Sequence, residues 1–201
     1  MARRSDHTRE ELHAMFLDAA LATTRAQGVE AVTARNLASA IGYSPGTIYQ
    51  VFENLDDVVV QLKVIVLDRL VARLDEAPAR GAPEQRILGL VAVYVAFAAE
   101  EPHLWHALFE AGLPSGAALP DSFGGHIARG LGRVERELAP LFAAGDRAGP
   151  ARAATTIWAG LHGIVALARS TAVSRASRGD AAVLAQDFAR TYLAGIAARR
   201  A

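Results

Sequence analysis

The chain has 201 residues, 52% of them hydrophobic and 21% charged, with 21 basic side chains against 21 acidic ones and a formal net charge of zero. That is ample apolar material for a large core, too little polar bias for disorder, and no global positive field to draw in nucleic acid. With no cysteine, disulfides, zinc-thiolate sites and thiol nucleophiles are all excluded.

At the start of the chain Arg3 and Arg4 form a short basic arm. The segment MARRSDHTREEL has no apolar stretch of a secretory signal, and no apolar run nears the ~20 residues a bilayer requires, so a cytoplasmic location without membrane contact is expected. Thr8 with Glu11 predicts a capping box, followed by a helix with Leu12, Met15, Phe16, Ala19, Ala20 and Thr23 at helical spacing up to Gly28. The stretch TARNLASAIGYSPGTIYQVF, Thr33 to Phe52, then reads as two short helices around a tight turn. Thr33 can cap the first, and Ser44 with Pro45 can open the second. Leu37, Ala38 and Ile41 line one face, Ile48 and Phe52 the face opposite, and Gly42 falls where the chain must take positive φ.

Asn54 and Asp57 predict the cap of a further helix, with Val58, Val59, Leu62, Ile65, Val66, Leu70 and Leu74 as its apolar positions, and APARGAP at 77–83 breaks it. Alanine-rich helical segments follow. One runs from Glu84 to about Glu100, a short one starts at Pro102, and a Gly- and Pro-containing loop covers 112–120. Three more helices are expected over 122–144, 150–173 and 180–199. The total is nine helices with no strand, an all-α chain.

Pro45, Gly46, Thr47, Tyr49 and Gln50 are placed on or beside the solvent face of the second short helix. An amide, a hydroxyl and a phenol on a slim helix suit base edges and phosphates in a major groove. A helical hairpin with a polar exterior has the same pattern. However, GYSPGTIYQVFENLDDV resembles the recognition segment of the tetracycline-repressor (TetR) family of bacterial transcription regulators, G-x-S-x-G-T-[IL]-Y-x-[YH]-F. Gly42, Ser44, Gly46, Thr47, Ile48, Tyr49 and Phe52 match it in order, and the match continues through Gly28, Val29, Thr33, Arg35, Ala38, Asn54 and Val58.

The resemblance implies a three-helix helix-turn-helix DNA-binding domain over 1–54 and a helical ligand-binding and dimerisation domain over 55–201, with 55–77 as the connecting helix. It implies DNA contacts from Arg3, Arg4, Thr33, Arg35, Ser44, Pro45, Gly46, Thr47, Tyr49 and Gln50. Trp158 to Gly163 resembles the W-x-x-x-H-G motif of one class of C-terminal domain in the family. Trp158 and His162 share a helix face, and Ala159, Gly163 and Ala166 form a strip of small residues where a symmetry mate can approach. The family's effector pocket implies ligand contacts from Tyr94, Phe97, Trp105, His106, Phe109, Phe123, Trp158 and His162, suited to a small apolar or aromatic effector. The function implied is a homodimeric repressor that holds a palindromic double-stranded operator and is released by that effector.

Three features depart from the family. Val51 and Leu55 stand where relatives carry phosphate-contacting residues, and Glu53 adds negative charge beside them. Residues 1–54 hold Arg3, Arg4, Arg9, Arg25 and Arg35 against Asp6, Glu10, Glu11, Asp18, Glu30 and Glu53, a net charge of minus one. A basic footprint is missing, so few phosphate ion pairs and a shallow salt dependence are expected. A second reading therefore stands beside the first: a dimeric helical small-molecule-binding protein whose DNA binding is weakened or lost. Enzyme signatures of the P-loop and H-E-x-x-H types are missing, so no catalytic residue and no cofactor is assigned. His106 and Glu110 stand at i, i+4 with no identifiable third ligand, so no metal is assigned either.

Overall fold

A computed structural model of the chain describes residues 7–113, 115, 116, 119, 120, 122–169 and 180–199. Arg3 and Arg4 of the predicted arm lie outside the described residues, as do positions 170–173 of one predicted helix. In order the chain forms α1 (Arg9–Gln27), a 3-10 turn (Val29–Ala31), α2 (Ala34–Ile41) and a 3-10 helix (Pro45–Gln50). There follow α3 (Leu55–Glu76), α4 (Pro83–Glu100), and α5 (Pro102–Trp105) running into a π-turn (His106–Glu110). Then come α6 (Ser122–Leu138), a 3-10 turn (Ala139–Leu141), α7 (Ala148–Arg169) and α8 (Ala181–Ala198). Among the described residues these amount to nine helices, counting Pro45–Gln50 and taking α5 with its π-turn, and no strand is present.

The caps form where the sequence places them. The Glu11 amide donates to Thr8 Oγ1 at 3.2 Å while the Thr8 amide donates to Glu11 Oε2 at 2.6 Å, closing the capping box. The Asn36 amide donates to Thr33 Oγ1 at 3.2 Å, and the Asp57 amide to Asn54 Oδ1 at 3.0 Å. Each such cap contributes about 1 kcal/mol by satisfying an amide the helix cannot. Gly42 ends α2 in the left-handed region at φ 77°, ψ 26°. Helix ends differ from expectation where breakers act. Pro140 lies in the turn that follows α6, which ends at Leu138 instead of reaching Ala144.

Contacts divide the chain into two compact units, residues 1–68 with 101–123, and residues 69–100 with 124–201. In the first, α1 buries Leu12, Phe16, Ala19, Ala20, Leu21 and Thr24. The predicted stripe thus shifts by one position at its end, because Thr23 is only half-buried. Phe52, just after the 3-10 helix, is stacked on His13 at 4.5 Å and meets Phe16 edge-on at 6.2 Å, so α1 fixes the exit of that helix. Trp105 and Leu104 of α5 are fully buried. The Arg25 guanidinium makes a paired contact with Glu101, at 2.9 and 2.8 Å, just before α5 begins.

In the second unit α4 packs most extensively on α8, and α7 packs on both. Ile87, Leu90, Val91, Val95 and Ala98 of α4 meet a core shared by Ile157, Leu161 and Val165 of α7 and Ala185, Ala189, Leu193 and Ile196 of α8. Gly160 permits close approach, since a Cβ there would run into the Phe188 ring. Glu137 of α6 accepts from Arg86 Nε at 2.5 Å and pairs with Arg133, which is itself 8% exposed. Partial burial pushes the Glu137 carboxyl up, and the two guanidiniums outweigh it, leaving it below the ordinary carboxylate range.

Candidate functional site

The segment after Gly42 differs from the α-helix expected in being a six-residue 3-10 helix. Its bonds run from the Thr47 amide to the Ser44 carbonyl and from the Val51 amide to the Ile48 carbonyl, at 3.0 and 3.1 Å. Three residues per turn bring Thr47 over Ser44, and their hydroxyls lie 3.1 Å apart. Thr47 is therefore 8% exposed and turned inward with Ile48, not placed on the open face as the α-period predicts. Ser44 keeps its position before the helix, yet its side chain makes no bond to the backbone there. Val51 is buried, so its apolar side chain has a packing role.

What stays open is a coherent surface. Ser44, Pro45, Gly46, Tyr49 and Gln50 are exposed, as is Arg35 on α2, while Thr33 is half-buried and its hydroxyl is engaged as a cap. Tyr49 is 57% exposed, an unusual place for a large aromatic side chain. Arg35, Tyr49 and Gln50 make no side-chain hydrogen bond or ion pair with other described residues, so their donors and acceptors face outward. Gly46 has no positive φ, and a Cβ there would meet nothing within 4 Å. Neither backbone strain nor internal packing requires a glycine at that point. Beside this surface His7 Nδ1 and the Tyr43 hydroxyl are 2.6 Å apart, a pairing that the sequence pattern does not mark.

The eight residues predicted for a ligand fall into both units. In the second, Trp158 Nε1 donates to the Tyr94 hydroxyl at 3.1 Å, and that hydroxyl lies 3.3 Å from His162 Nδ1. Trp158 and His162 do share a face, their rings 6.3 Å apart. Burial pushes the Tyr94 phenol far above its ordinary range, with the Trp158 bond a smaller opposing effect, so it serves as a neutral hydroxyl. Phe97 is 1% exposed with the Arg73 guanidinium 5.3 Å from its ring centroid, which makes it part of the packing. In the first unit Trp105 packs on Phe109 with ring centroids 4.6 Å apart, and Phe123 is buried. His106 places Nδ1 2.9 Å from Glu110 and Nε2 3.2 Å from Glu30, so both ring nitrogens face carboxylates. Among the described residues no group of three or more His, Cys, Asp or Glu side chains could hold a metal ion.

Two cavities of the second unit are lined by none of these eight residues. One of about 450 Å³ is bordered by α4 from Val91 to Ala99, by Val165 and Arg169, and by Asp180 and Gln186. Another of about 330 Å³ lies between Phe142, Arg152, Tyr192 and Arg199. Along the expected dimer strip Ala159 is exposed and Gly163 and Ala166 are half-buried, and a Cβ on Gly163 would touch nothing within 4 Å. No single helix among the described residues is long and apolar enough to cross a membrane.

Residues 87–192 match the Tetracyclin repressor-like C-terminal domain, and residues 16–62 match the bacterial regulatory proteins of the tetR family. The chain belongs to the TetR family. It is thus a DNA-binding transcription regulator by family and not an enzyme. Among curated proteins none matches the chain. A protein of unknown function from Rhodococcus sp. RHA1 superposes with a TM-score of 0.75 at 22% identity, covering 98% of this chain and 100% of its own. The regulator FadR from Bacillus subtilis, in complex with stearoyl-CoA, gives 0.69 at 16% identity over 91% of this chain and 98% of its own. The TetR family regulator PfmR from Thermus thermophilus gives 0.60 at 19% identity over 89% and 96%. At such identities the likeness is one of fold.

In the sequence Lys63 stands out only as the one lysine among 21 basic residues. It is 2% exposed and donates to the carbonyls of Ala107 at 2.5 Å, Ala111 at 2.7 Å and Leu108 at 3.4 Å. Burial pulls its ammonium below the ordinary lysine value. Its rarity is the available signal; its partners, more than 40 residues away, give none.

Proposed function

We propose that this TetR-family chain is a homodimeric repressor that reads a palindromic operator through the surface around Gly46 and Tyr49. The observation that carries this is the idle chemistry of that surface. Arg35, Tyr49 and Gln50 are exposed and have no polar partner among the described residues, and a Cβ on Gly46 would meet nothing within 4 Å. A duplex supplies the missing partners: Pro45 and Gln50 read base edges, Tyr49, Ser44 and Arg35 hold phosphates, and the Gly46 backbone approaches the strand. Thr33 and Thr47 support that surface from behind, through the α2 cap and the Ser44 pair. Two copies related by a two-fold axis, joined along Ala159, Gly163 and Ala166, would set the half-site spacing.

The effector in this reading is a small apolar or aromatic molecule held by the Tyr94, Trp158 and His162 group, which combines aromatic surface with a neutral hydroxyl and an imidazole. FadR from Bacillus subtilis was solved with stearoyl-CoA, a molecule with a long apolar chain, and this supports an apolar effector. Release requires that the effector bind the DNA-incompetent state more tightly than the competent one.

The deciding experiment is selection from random duplex DNA with the full-length protein, at low and at near-physiological salt. A palindromic motif that survives the higher salt is the expected result, with a shallow dependence of affinity on salt because the head carries few cations. Enrichment at neither salt would favour the second reading, a DNA-silent ligand-binding dimer, to which the missing basic footprint points.

A further inference from the structure

We propose that Lys63 is a positioning residue: its ammonium, seated among three backbone carbonyls, fixes the Pro102–Glu110 helix to α3, so that a change at this helix is felt at the DNA-reading surface. The inference rests on the regulator reading above and names a residue through which its regulation passes.

An ammonium removed from water loses strong hydration, and a buried one persists only if every donor is met. None of the three groups receiving the Lys63 donors is a carboxylate; all are carbonyls of one short stretch, Ala107, Leu108 and Ala111. These carbonyls need a donor. The helix closes with the Ala111 amide bonded back five residues to His106 at 2.9 Å, and Ala111 itself is extended at ψ 132°, so no further turn supplies amides to the last carbonyls. Lys63 stands in for that missing turn. A compact ammonium with three donors suits three carbonyls that converge on one point, whereas a planar guanidinium fork does not. In a chain whose other 20 basic residues are arginine (21 less Lys63), this position holds the one lysine.

The same helix is held on two other sides. Glu101, just before it, pairs with Arg25 of α1, and His106 within it faces Glu30 in the turn after α1. Trp105 is fully buried beneath. Three elements of the first unit therefore grip one helix, and Lys63 is the grip that belongs to α3. α3 begins at Leu55, directly after the stretch that carries Tyr49 and Gln50, with Phe52 clamped by His13 and Phe16 in between. A shift of the helix has a short, packed route to that surface.

Hydrogen exchange on the full chain tests the tie and needs no DNA. In the wild type, amides of 107–111 and of 62–66 should share one protection level, and in Lys63→Met both should lose protection together. Protection levels in the wild type that differ by more than about tenfold would overturn the tie, and this comparison stands even if Lys63→Met fails to fold. Transmission is tested on the duplex recovered by selection, by combining Phe109→Ala, which removes the ring packed on Trp105, with changes at position 63. Phe109→Ala should shift DNA affinity by about fivefold in the wild-type background and by less than about twofold with Lys63→Met. Lys63→Arg, which keeps the charge and loses the convergent geometry, should not restore the shift. An equal Phe109→Ala effect in all backgrounds, or no effect in the wild type, overturns the transmission. If selection yields no DNA, the regulator reading fails and transmission fails with it, while the exchange comparison still decides the tie.

Discussion

Gly42 sits at φ 77°, ψ 26°, where an L side chain pays a steric penalty, and it ends α2 so that the Tyr43 amide can bond back to the Ala38 carbonyl at 2.9 Å. A Cβ there would meet no neighbour within 4 Å, so the cost of substitution is backbone strain alone. Gly42→Ala should therefore destabilise by about 1 kcal/mol, and Gly42→Asn by less because asparagine tolerates this region. Urea midpoints of the two variants check it; equal midpoints would mean the turn relaxes out of the left-handed region. Positions of this kind are legible in the sequence because glycine and capping residues act within three or four residues of themselves. Thr47 departs from its predicted place for a related reason. An outward position assumes 3.6 residues per turn, and the chain winds at three, which carries Thr47 inward over Ser44.

At the scale of elements, the pattern of apolar residues marks the helices and their order, but it cannot mark the polar ties between them. Lys63 and Ala107, or Arg86 and Glu137, are tens of residues apart, and no periodicity points to such partners. The Glu137 clamp joins α4 to α6 and is open to a pH test. Its carboxyl lies below the ordinary value in the folded chain, so the unfolded chain binds the proton more readily. The stabilisation is fully present above the unfolded value of about 4.3 and is lost as the pH falls through the folded one. Glu137→Gln should cost about 1–3 kcal/mol at neutral pH by taking from Arg86 and Arg133 the carboxylate they share, and the gap to the wild type should narrow steadily in acid. Denaturant unfolding between about pH 7 and pH 2 reads this directly. A gap that stays constant over the whole range would show that the clamp holds no depressed carboxylate.

For the molecule as a whole, a net charge of zero and a head of minus one leave little long-range pull toward DNA, so in the proposed homodimer affinity comes from two heads acting together. That makes dimerisation part of the DNA chemistry. The small-residue strip on α7 offers a clean way to separate the two. Gly163 is half-buried, and a Cβ there would meet nothing within 4 Å inside the protomer. Glycine in a helix interior also costs about 1 kcal/mol relative to alanine, so Gly163→Trp should leave the protomer as stable as before or slightly more so. If the strip is the seam, the indole fills the space a partner helix needs. Sedimentation should then show a monomer with undiminished helicity, and affinity for the selected palindrome should fall by at least about tenfold, the loss expected when two linked half-sites become independent. A Gly163→Trp protein that stays dimeric and binds normally would move the interface off this strip. The exposed Leu167, Val183 and Leu184 on α7 and α8 would then be the next surface to substitute.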